Sequence, residues 1–444
     1  MLALIALSAL LLSMLTPPFQ SPDEFDHVKR AYLLSRGQIL LQSPPGEGSG
    51  GAVDTGLLAY MSVFWALPFK PDKKVTTADL AQARSVQWTR EHTFSAAPGT
   101  GYYLPLAYLP QAMALAVSRY AGLSVDVSYR AARLAALLVA FAMLAWALRL
   151  HPLPPVAIGL LTLPMTLFQL ASASLDAVTY ALAVLALACY LHASRARGAT
   201  RPRVLITFSV AMFVIITCRF HLFPMVLLFA ALWQMTGRRA VLWAGMAVCV
   251  LALAWTMVAM QTTVDPRTVT GTSARTVLLH YLANPGTFLA LVAHMLALPD
   301  YQDFYRQSFL GILGWLDARF DVEQYRWLGW GLAWLVLGSV GPFWRWRGHE
   351  IGWRVLLLAC SIACVLLIFL ALLATWNPHP AQVIEGVQGR YFWVPMLMAC
   401  LALAPSAETS NRLHRRALVG AQLIFIAFSV YSTAGLLLTR YWAA

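Results

Sequence analysis

The chain has 444 residues, 59% of them hydrophobic and only 11% charged, with a formal net charge of +13. Soluble globular domains carry about 25% charged residues, and disordered chains combine low hydrophobicity with high charge, so both classes are excluded. The positive charge sits in short joints between apolar runs and is not interleaved with aromatics in a soluble segment, which points to a bilayer and away from nucleic acid.

The first run, Met1 to Leu15, lacks a basic leading region and a small-x-small cleavage site before Pro17-Pro18. It therefore reads as an uncleaved, short first span rather than a signal peptide. Residues 17–128 follow as one large loop. Its two apolar stretches, 56–69 and 103–121, are expected to be interfacial helices. The first is short, and the second is interrupted by Pro105 and Pro110. Further apolar runs occupy 129–148, 154–171, 175–193, 203–218, 220–236, 240–261, 326–343, 353–374, 391–405 and 417–438. The stretch 277–298 is expected to lie flat or re-enter. The expected fold is an all-α polytopic membrane protein of about eleven spans, between nine and thirteen, at ~20 apolar residues each. It forms one membrane domain over 1–444, with no separate soluble domain.

The joints alternate in charge. Arg149, then Arg195, Arg197, Arg201 and Arg203, then Arg238 and Arg239, then Arg345, Arg347 and Arg354, then Arg412, Arg415 and Arg416 mark one side. Glu350 and Glu408 are the acids among them; the remaining acids fall on the opposite side. By the positive-inside rule the arginine joints and the N-terminus are cytoplasmic, and residues 17–128 and Tyr441-Trp442 are outside. The six cysteines (Cys189, Cys218, Cys249, Cys360, Cys364 and Cys400) lie in or beside apolar runs without a CxxC pair, so neither a zinc site nor a disulfide frame is indicated.

The chemistry is expected among the exterior acids. Ser21-Pro22-Asp23-Glu24 is a capping box with proline at the first helical position, opening a helix that runs to Arg36 and stops at Gly37. The same carboxylates, just outside a span, suit a general base that deprotonates an acceptor hydroxyl. Asp23 and His27 stand one turn apart and would together offer two ligands to a divalent ion, which do not by themselves make a site. Asp176 lies at the next exterior joint, with Ser174 as a helix cap; an acid at membrane depth is also a functional candidate. Arg219, near His221, needs a partner at such a joint, either Asp176 or a phosphate.

Farther along, Gly311-Ile312-Leu313-Gly314-Trp315-Leu316-Asp317 closes the exterior stretch 262–325 and would shape a cavity floor. In Glu385-Gly386-Val387-Gln388-Gly389-Arg390-Tyr391-Phe392, two glycines would let the backbone approach a ligand, and Arg390 would meet an anion at the mouth of a span. The alternative is a glycine turn with a snorkelling arginine. Trp88, Tyr102 and Tyr103 would stack on a sugar or belong to an interfacial belt. Walker, dinucleotide-binding, HExxH and GxSxG motifs are absent, which disfavours nucleotide-driven pumps and hydrolases of those types.

The acidic pair after a first span, the large first loop and the second exterior acid resemble the GT-C glycosyltransferases. More narrowly, Pro17-Pro18-x-x-x-Pro22-Asp23-Glu24-x-x-His27, Gly311-x-x-Gly314-Trp315-Leu316-Asp317 and Gly386-Val387-Gln388-Gly389-Arg390-Tyr391-Phe392 look like a bacterial family of predicted membrane proteins of unknown function, usually placed near GT-C. The resemblance runs from Pro17 to about Phe392. It implies a GT-C-like bundle in a bacterial inner membrane. It also implies an inverting transfer from a polyprenyl-phosphate sugar, taken from the membrane lipid, to an envelope glycan or glycolipid on the outer face. Asp23, with Glu24 beside it, matches the first-loop catalytic acid and Asp176 the second. Arg390 or Arg219, with Gln388, would hold the donor phosphate. His27, Tyr102, Tyr103, Trp315, Asp317 and Tyr391 are the remaining candidates for contact with substrate. No cofactor is required beyond a possible divalent metal ion. A transporter or flippase of lipid-linked sugars is the alternative, but polar clusters gathered on one face favour an enzyme over a transporter with polar residues through several spans.

Overall fold

The computed structural model describes residues 1–267, 271–340, 348–404 and 412–442. The expected joint residues Arg345, Arg347 and Glu408 lie outside the described residues, as do the side chains of Arg412 and Arg415. The chain opens with α1 Leu2–Leu15, and the first loop carries α2 Glu24–Ser35, α3 Thr55–Phe64, α4 Thr77–Ser85 and α5 Leu109–Tyr120. Then come α6 Val125–Leu150, α7 Pro155–Leu161, α8 Pro164–Leu170, α9 Asp176–Ala196, α10 Pro202–Cys218, α11 Leu228–Thr236 and α12 Arg239–Thr262. The last third holds α13 Ala274–Ala283, α14 Pro285–Ala297, α15 Pro299–Leu310, α16 Val322–Ser339, α17 Gly348–Thr375, α18 Trp393–Leu403 and α19 Arg412–Tyr441.

Local sequence explains many of the boundaries. Proline opens α7, α8, α10, α14 and α15, where its missing N–H costs nothing. Thr76 with Asp79 and Asp321 with Gln324 form reciprocal capping boxes at α4 and α16.

Each apolar run is largely helical where described, yet among the described residues only five helices are long and apolar enough to cross a membrane: α6, α9, α12, α17 and α19. A sixth is reached if α13 and α14, bent by 101° where one meets the other, count as one broken span. The expected count of about eleven is therefore not reproduced, and the reason lies in breaks. The run 154–171 divides before Pro164 into α7 and α8. The run 220–236 begins as a 3-10 helix, Phe220–Leu227, around Pro224 before α11. Helix α1 has 14 residues, about 21 Å at 1.5 Å each, against a hydrocarbon core of about 30 Å. The bend between α13 and α14 is the geometry found where 277–298 is expected to lie flat or re-enter.

Helix α9 is the central element. Within its most apolar window 89% of the residues are buried, against 22% for α12, which is therefore peripheral. Among the described residues, His151, Arg195 and Arg354 lie near one another at one end of the bundle. There His192 Nδ1 meets the Leu150 carbonyl at 3.0 Å, and Arg354 donates to the Ala402 and Ala404 carbonyls, each at 2.6 Å. At the other end the first loop joins the close of α19: Val75 N donates to the Tyr441 carbonyl at 2.8 Å, and Trp442 Nε1 to the Leu15 carbonyl at 2.8 Å. The all-α expectation misses two small antiparallel ribbons. Strand β1 Gly50–Asp54 pairs with β2 His92–Ala96, and β3 Ile312–Leu313 with β4 Ala318–Arg319.

Candidate active site

The motif Ser21-Pro22-Asp23-Glu24 sends its two acids in opposite directions. Helix α2 begins after Asp23, which adopts the left-handed backbone at φ 60° and ψ 10°. Asp and Asn are among the few residues that tolerate this region. The capping box is half formed: Ser21 N donates to Glu24 Oε2 at 3.1 Å, but the Ser21 hydroxyl turns to Gln169 instead of the helix N-terminus. The predicted stop holds, with Gly37 at φ 84° just past the helix.

Glu24 is fully buried and fully used. Its Oε1 accepts from the Tyr129 hydroxyl at 2.8 Å, from Ala173 N at 2.7 Å and from Arg133 Nη2 at 3.3 Å. Arg133 also donates to the carbonyls of Ser13 at 3.0 Å and Thr16 at 2.9 Å. One carboxylate thereby fastens α2, α6, the end of α1 and the turn before α9. No lone pair is left for a reacting hydroxyl.

Asp23 is the opposite case. Its side chain is 44% exposed and accepts no hydrogen bond from the described residues. Two guanidinium groups stand at 3.9 Å, Arg390 on one oxygen and Arg267 on the other. Arg267 donates to Asp265 through Nε at 2.9 Å and Nη2 at 2.8 Å, and this bidentate pairing holds its guanidinium still more firmly protonated.

Asp176, buried at the first turn of α9, is hydrogen-bonded to Arg219 Nη2. Gln169 at the end of α8 completes its shell. With its amide oriented by its partners, Nε2 donates to Asp176 Oδ2 at 2.9 Å and to the Ser21 hydroxyl at 3.1 Å, while Oε1 accepts from Arg390 Nη1 at 3.0 Å. Gln169 thus links three separate motifs. Its one visible signal in the sequence is an amide within an apolar run. Arg267 had no local signal at all.

Aromatic rings steer the arginines. Arg219 lies over Tyr103 at 5.6 Å and Arg390 over Tyr391 at 5.5 Å. Arg390 Nε is buried without a partner among the described residues. Between these groups is a small cleft of about 20 Å3, lined by Asp176, Tyr180, Arg219, His221, Arg390 and Tyr391. His27 Nδ1 meets the Tyr108 hydroxyl at 2.7 Å, and burial lowers the histidine's pKa, so the ring stays neutral. Burial pushes the Tyr103 hydroxyl up to about 12.

The structure therefore brings Asp23, His27, Tyr103, Asp176, Arg219, Arg390 and Tyr391 into one neighbourhood. Tyr102 sits at its edge in the field of Asp265 and Arg267. Trp315 and Asp317 do not join it. Trp315 Nε1 donates to the Phe19 carbonyl at 3.0 Å, and Asp317 accepts from Phe69 N at 2.8 Å and Arg440 Nη2 at 2.7 Å, which ties α19 to the first loop. Gln388 Oε1 is buried without a partner among the described residues. The glycine beside it meets protein rather than a ligand: a Cβ on Gly389 would lie 2.1 Å from the Tyr305 carbonyl oxygen of α15. Among the described residues no three His, Cys, Asp or Glu side chains gather closely enough to hold a metal ion.

A family model described as a predicted membrane protein (DUF2142) matches residues 6–400, and the chain belongs to that family. None of the curated proteins and none of the solved structures compared with the chain matches it.

Proposed function

We propose that this membrane protein is a glycosyltransferase that moves a sugar from a polyprenyl-phosphate donor to an envelope acceptor at the outer face of a bacterial inner membrane. One observation carries the reading: Asp23, a half-exposed carboxylate that accepts no hydrogen bond from the described residues, stands 3.9 Å from Arg390, which with Arg219 lines a cleft. A base must be free to reach its proton, and a phosphate leaving group must meet positive charge.

In this reading Asp23 removes the proton from the acceptor hydroxyl. The oxygen attacks the anomeric carbon from the face opposite the phosphate, and the C–O bond to phosphate breaks. The electron pair leaves on polyprenyl phosphate, where Arg390 and Arg219 meet the developing charge. Configuration at the anomeric carbon inverts, and no sugar–protein intermediate forms. Asp176 and Gln169 position the arginines. Helices α3 and α5 lie along the interface; on α5, Leu109, Met113, Val117 and Tyr120 expose one apolar stripe.

The test is transfer by purified protein in lipid vesicles, supplied with a panel of polyprenyl-phosphate sugars and envelope acceptors. Arg390→Ala is expected to reduce the rate by about 10²–10³, as for loss of a donor to a developing anion. Equal rates in wild type and Arg390→Ala would remove Arg390 from the mechanism. Movement of the lipid-linked sugar across the vesicle without transfer would establish the flippase reading instead.

A further inference from the structure

A second cleft lies at the far end of α2. It is an open cleft of about 990 Å3 between the ends of α2 and α5 and the segment that leads into β2, and it is lined by Tyr32, Arg36, Trp88, Arg90, His92 and Arg119 among others. From Asp23 to Arg36 the helix rises about 20 Å at 1.5 Å per residue, so this cleft is separate from the one at Arg390.

Its charge is unbalanced. Arg36, Arg90 and Arg119 all line it, and none forms an ion pair with a carboxylate among the described residues. The one acid in the lining, Asp54, is spent on its own loop. Its Oδ1 accepts from Gly56 N at 2.8 Å and Thr89 N at 3.2 Å, and its Oδ2 from Arg90 N at 2.9 Å. Arg119 lies over the Tyr32 ring at 5.3 Å, and its Nη1 is buried without a hydrogen-bond partner among the described residues. A buried charged donor left unpaired is costly unless a ligand completes it. Trp88 stacks on Tyr32 with ring centroids 5.6 Å apart and an interplanar angle of 13°, which fixes a flat, partly open aromatic wall.

We infer that this cleft is a binding site for an anionic saccharide, whose carboxylate or phosphate groups meet Arg36, Arg90 and Arg119 while a sugar ring packs against Trp88. Guanidinium forks suit both anions, and the indole wall suits the apolar face of a pyranose. The volume of the cleft favours a ligand of several rings over a single ion. The inference does not depend on sugar transfer at Asp23.

Isothermal titration of the full chain in detergent micelles tests it, with tetragalacturonate and trehalose 6-phosphate as probes and maltotetraose as the neutral control. At least one charged probe is expected to bind, with affinity that falls as salt rises, while maltotetraose does not. Arg119→Gln and Arg36→Gln should each weaken binding about tenfold, the loss of one charge-assisted contact, and Arg390→Ala should leave it unchanged. Arg36 is exposed, so its substitution spares the fold if that of Arg119 does not. Binding of neither charged probe, equal binding of maltotetraose, or unchanged affinity in the Arg36 variant would overturn the inference. So would displacement of the probe by phosphatidylglycerol added to the micelles, which would assign the arginines to a lipid headgroup.

Discussion

Asp23 and Glu24 are neighbours in sequence and open two different regions of the molecule. Around Glu24, four donors close on one buried carboxylate, and the nearest arginine is itself anchored to backbone carbonyls. Around Asp23, the arginines stop at 3.9 Å and solvent reaches the carboxylate. The backbone makes the division. The left-handed turn at Asp23 points its side chain away from the α2 axis, and the first turn of α2 carries Glu24 inward against α6. A buried acid with every lone pair filled holds structure, whereas an acid left open beside cations is available for proton transfer.

The difference can be broken from the structural side first. Glu24→Ala leaves Arg133 buried and unpaired, and the loss of one partner of a buried ion pair costs about 3–5 kcal/mol. The expected outcome is a large fall in the melting temperature of the purified protein, or a chain that does not accumulate. A variant with unchanged melting temperature would remove Glu24 from its structural role.

The smaller effect is a pH dependence from His27. Burial lowers its folded pKa, so above about pH 6.5, where the unfolded histidine is also neutral, it contributes nothing to the slope. As pH falls below that value the unfolded chain binds a proton that the folded chain resists, and stability declines by at most about 1.4 kcal/mol per pH unit. Between pH 7.5 and 5.5, His27→Gln should therefore lose less thermal stability than wild type. Parallel losses in the two proteins would show that His27 takes up its proton without unfolding.

The sequence carries the helical runs, because apolar residues mark them directly. It did not carry the span lengths. Pro164 and Pro224 are visible as breakers, but whether a break bends a span or divides it depends on what packs around it. Strands β1 and β2 escaped because their partners are some forty residues apart, and pairing at that distance leaves no local pattern. The candidate site was legible residue by residue at Asp23, Asp176, Arg219 and Arg390. The bond that joins them, Gln169, was not, since a buried amide in an apolar run takes its meaning from partners brought by other helices. Asp317 is met by Arg440, more than a hundred residues later, a partner that no local pattern around Asp317 announces.

The central claim is that adjacent carboxylates divide chemistry from structure, and Asp23→Asn tests it most directly. Asparagine keeps the shape and tolerates the left-handed backbone, so only the charge is removed. The account predicts that the melting temperature stays within error of wild type while sugar transfer in vesicles falls by about 10²–10⁴. Transfer at the wild-type rate by Asp23→Asn would contradict it.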